Sequence, residues 1–105
     1  MDGRQFQFEW DEKKAAANLR KHGVPFELAC TVFYDPLLLT VADLQHESEE
    51  RWFSIGRAGN GALLSVVYLW SEADLATTKV RIISARKATK SEMRQYSKIY
   101  EKPTD

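Results

Sequence analysis

The tripeptide Gly59-Asn60-Gly61 constrains the fold most, because it lies between two segments with the composition of β-strands. Asparagine and glycine tolerate the positive φ of a type I′ hairpin, so two antiparallel strands are expected to meet at this turn. The segment after the turn, residues 62–70, is apolar at both even and odd positions. A strand of this kind is covered on both faces, which predicts a central place in a sheet.

The remaining strands are predicted from alternation and from their position between turns. In the first segment, Phe6, Phe8 and Trp10 alternate with polar residues, which is the pattern of a half-buried strand. Further strands form a meander around the hairpin, with polar loops at residues 43–48 and 71–78. The predicted strands are 6–10, 37–42, 50–57, 62–70 and 79–85.

Two helices are predicted between the first strand and the meander. The carboxylate of Asp11 can accept the free amides of a helix that runs to about His22. Gly23 suits the left-handed residue just beyond the end of that helix. Pro25 opens a second helix over residues 26–34, which Asp35-Pro36 ends.

A third helix follows the last strand. Thr89 and Glu92 have the spacing of a capping box, and the helix is predicted to run to about Tyr100. Tyr96 is assigned to its buried face, with a catalytic hydroxyl as the alternative. The order β-α-α-β-β-β-β-α predicts an α+β fold in which helices pack on a mainly antiparallel sheet.

The length of 105 residues allows one hydrophobic core. We therefore expect a single domain over residues 6–101, with flexible termini at 1–5 and 102–105. Cys30 is the only cysteine, which favours a reducing compartment. No secretory leader pattern and no membrane-length apolar run occur, so a cytoplasmic protein without membrane contact is expected.

The charges cancel overall but are unevenly distributed. Fifteen basic residues balance fifteen acidic ones, yet residues 79–102 hold eight basic side chains against Glu92 and Glu101. Between residues 35 and 51, five side chains are acidic and Arg51 is the only lysine or arginine. A polarised chain can present a basic face to a polyanion, although solvated helix faces would produce the same pattern.

The sequence lacks the motifs of several enzyme classes. It has no P-loop lysine, no CxxC, no HExxH and no Gly-x-Ser-x-Gly, and His22 and His46 lie in unrelated contexts. No metal or cofactor is therefore expected. What remains is a set of arginines, lysines and aromatic residues. Arginine matches phosphate oxygens, and aromatic rings hold unstacked bases, so these residue types suit a metal-free ribonuclease.

Three segments together resemble the BrnT family of toxins. They are FEWDEKK at 8–14, NLRKHGV at 18–24 and RIISARKAT at 81–89, and shorter matches lie between them at 26–27, 33, 35–36, 50–51 and 55–56. The resemblance implies a RelE-like fold and an endoribonuclease toxin that halts translation. It also implies a BrnA-type antitoxin that neutralises the toxin and carries the complex to operator DNA.

Candidate site residues follow from this hypothesis. Arg51, Arg81 and Arg86 are predicted to be catalytic and to hold the scissile phosphate, and the general base is left unassigned. The predicted RNA-binding residues are Trp10, Lys14, Lys21 and Lys87.

Structural alternatives to these roles stay open. Trp10 could equally be a core edge, and Arg51 could pair with the glutamates before it. Arg81 and Arg86 differ in strand parity and would point to opposite faces if the strand continued past Ala85, unless the chain bends there. Arg81 is expected on the sheet and Arg86 at the strand end beside Lys87. Two other functions are also considered, namely a catalytically silent module that acts only in a repressor complex with the antitoxin, and a stand-alone nucleic-acid-binding domain.

Overall fold

A computed structural model describes residues 5–42 and 51–98 of the chain. The α+β prediction is confirmed, with helices on a mostly antiparallel sheet. The predicted loop 43–48, residue Tyr100 and the segments 1–4 and 102–105 lie outside the described residues. The elements are β1 Gln5–Glu9, α1 Glu12–His22, α2 Phe26–Ala29, a 3-10 helix Cys30–Tyr34, β2 Leu39–Ala42, β3 Trp52–Arg57, β4 Leu63–Asp74, β5 Thr77–Lys87 and α3 Lys90–Ser97.

The five described strands form one sheet in the order β1-β5-β4-β3-β2. Strands β2 to β5 are antiparallel neighbours in chain order, as a meander requires. Strand β1 joins the far edge and pairs with β5 in parallel. Gln5, expected in a flexible terminus, is the first residue of this strand and donates its amide to the carbonyl of Ala76 at 2.8 Å.

Helix α1 has both of its predicted caps. The Asp11 carboxylate accepts the amides of Lys13 and Lys14 at 2.8 and 3.1 Å, and Gly23 has a φ of 72°. In the middle of the helix the buried Asn18 side chain donates to the carbonyl of Ala85 at 2.8 Å and accepts its amide at 3.1 Å. This paired hydrogen bond fixes α1 against β5.

The two faces of the sheet are covered differently. On one side, which we call the α1 face, α1, α2 and the 3-10 helix cover the main core. On the other side, the α3 face, the buried ring of Tyr96 packs with Ile55 of β3. Helix α3 covers only part of this face, so charged side chains of β5 remain accessible beside it. The fully buried residues include Phe26, Val32, Leu64, Val66 and Ile82.

The predicted loop at 71–78 is wrong. Strand β4 continues to Asp74 and β5 starts at Thr77, so a long hairpin replaces the loop. The side chain of Asp74 accepts the amide of Ala76 at 2.8 Å, which closes the turn without glycine or proline. The lack of those two residues explains why the turn was not predicted.

The second predicted helix is divided into two parts. It begins at Phe26 as expected, but after Ala29 it tightens into the 3-10 helix. The hydroxyl of Thr31 donates to the carbonyl of Leu28 at 2.6 Å within this transition. Strands β2 and β3 each begin two residues later than predicted, at Leu39 and Trp52.

Candidate active site

A β-bulge in β5 decides which face its arginines occupy. Val67 of β4 pairs with Ser84, whereas the next residue, Tyr68, pairs with Ile82. Ile83 is therefore an extra residue in β5, and it resets the alternation of side chains.

The bulge brings Arg81 and Arg86 onto the same face of the sheet. Arg81 lies opposite Leu69 and Arg86 opposite Ser65. Residues 65 and 69 are an even number of positions apart in β4, so their side chains point to the same face. Their levels are four positions of β4 apart, or roughly 13 Å along the strand.

Strand β5 does continue past the predicted end at Ala85, to Lys87. Arg81 and Arg86 nevertheless share a face, because the extra residue Ile83 shifts the alternation.

Arg51 directly precedes β3 and is half-buried. It stands two residues before Phe53, which pairs with Val67, so alternation assigns Arg51 to the α3 face at the level of Leu69. The three predicted catalytic residues therefore share one face.

Arg86 is part of a hydrogen-bonded network at the start of α3. Its Nη1 and Nη2 donate to the two carboxylate oxygens of Glu92 at 2.7 and 2.9 Å, and its guanidinium lies 6.0 Å from the ring centre of Phe53. Glu92 also accepts from the Ser65 hydroxyl at 2.7 Å and from the Thr89 amide at 2.8 Å.

These contacts shift the pKa of Glu92 and the pKa of Arg86. The Arg86 hydrogen bonds, helped by those from Thr89 and Ser65 and opposed by burial, lower the pKa of Glu92 to about 2. The Glu92 carboxylate in turn raises the pKa of Arg86. The pair is ionised at neutral pH, and both ends of the Arg86 fork are already bonded.

Arg81 has a more open environment. Its Nη1 donates to Oε2 of Glu9 at 3.1 Å, and Nζ of Lys79 lies 3.3 Å from the other oxygen of the same carboxylate. The three side chains line a cleft of about 300 Å³, together with Leu69, Trp70 and Ser71. The arrangement can accept an anionic group between two cations.

Sequence reasoning missed Glu9 and Lys79 as site residues. Both lie on the polar side of their strands, which alternation alone could have indicated. Their proximity depends on the parallel pairing of β1 with β5, which no local signal predicts.

The side chains of the predicted RNA-binding residues do not lie on the same face of the sheet as the arginines. Trp10 packs edge-on against Phe26 with ring centres 5.9 Å apart, and its Nε1 donates to Glu12 at 2.7 Å. This position is a core edge on the α1 face. Lys14 and Lys21 are exposed on α1, and Lys87 pairs with the buried Leu64. All four thus belong to the opposite side of the sheet.

Tyr96 has a structural role in this geometry. Its hydroxyl donates to Oδ2 of Asp35 at 2.6 Å, and the Arg57 guanidinium lies 5.7 Å from its ring centre. Burial alone would raise the pKa of Asp35, but hydrogen bonds from Tyr96, Arg57 and Leu37 and the Arg57 charge together lower it. The buried ring confirms Tyr96 as a core residue.

A second cleft, of about 330 Å³, has a different character. It is lined mainly by aromatic and aliphatic residues and by one carboxylate, without a cation. It therefore lacks the donors that a phosphate requires. The lining residues are Phe6, Phe33, Leu38, Tyr68, Trp70, Glu72, Thr78 and Val80.

Within the described ranges 5–42 and 51–98, no group of three or more His, Cys, Asp or Glu side chains is arranged to hold a metal ion. The helices of these ranges are all too short or too polar to cross a membrane.

Comparison with known proteins gives the class and then the family. A family profile described as "Ribonuclease toxin, BrnT, of type II toxin-antitoxin system" matches residues 10–92. The class is thus that of ribonuclease toxins from type II toxin–antitoxin systems. The chain belongs to the BrnT family.

A solved structure shows the same fold. It is the 1.1 Å crystal structure of the Brucella abortus ribonuclease toxin, BrnT, with a TM-score of 0.55 and 20% identity. The similarity covers 82% of this chain and 99% of that chain. Among curated proteins, no sequence matches this chain significantly.

Proposed function

We propose that this chain is a metal-independent endoribonuclease that inhibits translation in the bacterial cytoplasm. It acts as one RelE-like domain over residues 6–101 and is neutralised by a cognate BrnA-type antitoxin. Contact with operator DNA occurs only through that antitoxin.

The observation that carries this proposal is the shared face of the arginines. Cleavage of RNA builds negative charge on the phosphorane, and guanidinium groups stabilise such charge without a metal. The bulge at Ile83 gives Arg81 and Arg86 a common face, and alternation adds Arg51.

The three arginines have different parts in this proposal. Arg81 lines the open cleft, and alternation assigns Arg51 to the level of Leu69 on the same face. In this proposal these two arginines hold the scissile phosphate. Arg86 keeps its hydrogen bonds to Glu92 and positions the start of α3 at the margin of the site. The RNA-binding residues on the α1 side contact nucleotides farther along the strand. They are Trp10, Lys14, Lys21 and Lys87.

Incubation of the purified chain with RNA in the presence of EDTA tests the proposal. We expect cleavage in EDTA, and we expect Arg81→Ala to reduce its rate at least about 100-fold. Arg20→Ala is the matched control, since Arg20 is an exposed arginine on α1 outside the proposed site.

Two results would contradict the proposal. Intact RNA after incubation with folded wild-type chain would refute the nuclease activity. Cleavage that requires an added divalent ion would refute metal independence. Circular dichroism of each variant establishes that lost activity does not come from unfolding.

The silent repressor module is the second candidate, and one observation favours it. Arg81 and Arg86 both already pair with carboxylates of the same chain, as they would with an acidic partner protein. Expression of the chain alone separates the two functions. Growth arrest that Arg81→Ala relieves supports the nuclease, whereas normal growth with abundant soluble wild-type chain supports the silent module.

A further inference from the structure

Glu9 stands at the end of β1, directly opposite Arg81 in the parallel ladder. Its Oε2 accepts from Nη1 of Arg81 at 3.1 Å, and its Oε1 lies 3.3 Å from Nζ of Lys79. The Glu9 side chain is 38% exposed and the two cationic side chains are each 44% exposed. A carboxylate, an ammonium and a guanidinium thus meet at an accessible point of the α3 face.

This triplet forms the polar wall of the 300 Å³ cleft. The cleft volume falls at the lower end of the range for small-molecule sites, which suits one sugar–phosphate unit. Exposed ion pairs contribute little to folding stability. A role in binding or catalysis therefore accounts for the three charged side chains in this cleft better than a contribution to folding stability does.

We propose that Glu9 is the general base of RNA cleavage and Lys79 the general acid, an inference that rests on the proposed ribonuclease function. Glu9 takes the proton of a ribose 2′-hydroxyl while the 2′ oxygen forms a bond to the adjacent phosphorus. The bond from phosphorus to the 5′ oxygen breaks, and that oxygen takes a proton from the Lys79 ammonium. Arg81 holds the non-bridging oxygens.

The step is balanced without a cofactor or an oxidant. Its products are a 2′,3′-cyclic phosphate and a free 5′-hydroxyl. Exchange with water afterwards returns a proton to Lys79 and removes one from Glu9.

The neighbours of Glu9 keep it ionised before RNA binds. The Arg81 hydrogen bond outweighs the opposing desolvation and, with the Lys79 contact, lowers the pKa of Glu9. Both cations come from β5, and β4 contributes only the uncharged Leu69, Trp70 and Ser71 to the cleft lining. A bound phosphate competes for the two cations, which raises the pKa of Glu9 and makes it a stronger base.

Glu9→Gln tests the base directly, because it keeps the shape of the side chain and removes its capacity to take a proton. The assay follows a fluorescent single-stranded RNA oligonucleotide in EDTA. We expect the rate constant at saturating RNA to fall at least about 100-fold. Affinity for the same oligonucleotide with 2′-O-methyl riboses, which cannot be cleaved, should stay within about threefold of wild type.

Two further variants separate catalysis from structure. Glu27→Gln removes an exposed carboxylate on α2 and should leave the rate unchanged. Glu9→Asp retains a carboxylate and should retain partial activity with the acidic limb of the pH–rate profile, a limb that Glu9→Gln lacks. Thermal unfolding of all three variants shows that they are folded.

The outcomes distinguish this inference from the function on which it rests. No cleavage by the wild-type chain overturns both. Cleavage by wild type and Glu9→Gln at similar rates overturns the general base alone, as does an acidic limb that persists in Glu9→Gln. Products ending in a 3′-phosphate from the first step, without a cyclic intermediate, overturn the proposed 2′-hydroxyl attack.

Discussion

Arg81 and Arg86 lie on the same sheet face, each paired with a glutamate, but the two pairs are built differently. Arg86 donates two hydrogen bonds to Glu92, whose carboxylate also takes part in the capping box of α3. Arg81 donates one hydrogen bond to Glu9, which it shares with Lys79. The Glu92 side chain is only 13% exposed, whereas that of Glu9 is 38% exposed.

Because of this difference, the two pairs exchange partners with unequal ease. A bidentate, partly buried pair with further donors loses several hydrogen bonds when it opens. A single exposed bond is replaced easily by water or by a phosphate oxygen. Arg86 is therefore suited to hold α3 on the sheet, and Arg81 to bind a substrate.

The largest expected difference between the pairs is in stability. Arg86→Ala leaves Glu92 without its bidentate partner, and we expect the free energy of unfolding to fall by about 2 kcal/mol. Arg81→Ala should shift Tm by less than about 2 °C. Urea unfolding followed by circular dichroism measures the first change, and thermal unfolding compares the Tm values of the two variants. Equal losses in the two variants would break the distinction.

The second contact that holds α3 should show a somewhat smaller effect. Tyr96→Phe keeps the packing of the ring and removes the hydroxyl that donates to Asp35. We expect a loss of about 1.5 kcal/mol in the free energy of unfolding. Tyr34→Phe is the control, because Tyr34 is 64% exposed and should show no change. A stability loss no larger than that of the control would mean that this hydrogen bond does not hold α3.

Acid should weaken the Arg86–Glu92 pair in a defined range. The folded pKa of Glu92, about 2, is below its ordinary value of 4.5, so its contribution is complete above about pH 4.5 and is lost as the pH falls toward 2. Glu92→Gln should cost about 1 kcal/mol at neutral pH. The difference from wild type should shrink across this range, as measured by urea unfolding at several pH values. A stability difference between wild type and Glu92→Gln that stays constant with pH would show that the Glu92 carboxylate does not stabilise the fold through this pair.

The smallest effect is expected from salt at the open pair. Glu9→Gln should lower Tm by less than about 2 °C at low ionic strength, and the difference should vanish at about 0.5 M NaCl. The difference for Glu92→Gln should persist at the same salt concentration, because that carboxylate is shielded. Thermal scans at both concentrations provide the comparison, and a salt-resistant effect at Glu9 would mean that it, too, is a structural pair.

Local signals predicted much of the fold. Asp11, Gly23 and the Thr89–Glu92 capping box marked helix ends through hydrogen bonds within a few residues, and those caps are present. The turn at 59–61 marked the β3–β4 hairpin for the same reason. Its expected type I′ geometry is wrong, because of these three residues only Gly61 has a positive φ, of 89°. Such features depend on a short stretch of chain, so the sequence alone carries the required information.

The candidate site depended on features that are not local. The bulge at Ile83 arises from how β5 fits against β4, and nothing in the run from Arg81 to Arg86 distinguishes a bulged strand from a regular one. Glu9 was absent from the predicted site because its neighbours come from the other end of the chain. Sequence reasoning could therefore name the arginines but not the carboxylate beside them.

The pairing of the first described strand with the last also has a consequence for protein synthesis. Glu9 and Arg81 are 72 positions apart. During synthesis, Glu9 is therefore added long before the residues of β5 that complete the cleft. Contacts between such distant segments form late, after local structure. A nascent chain interrupted before residue 77 thus lacks the complete cleft, whatever else of the fold it has acquired.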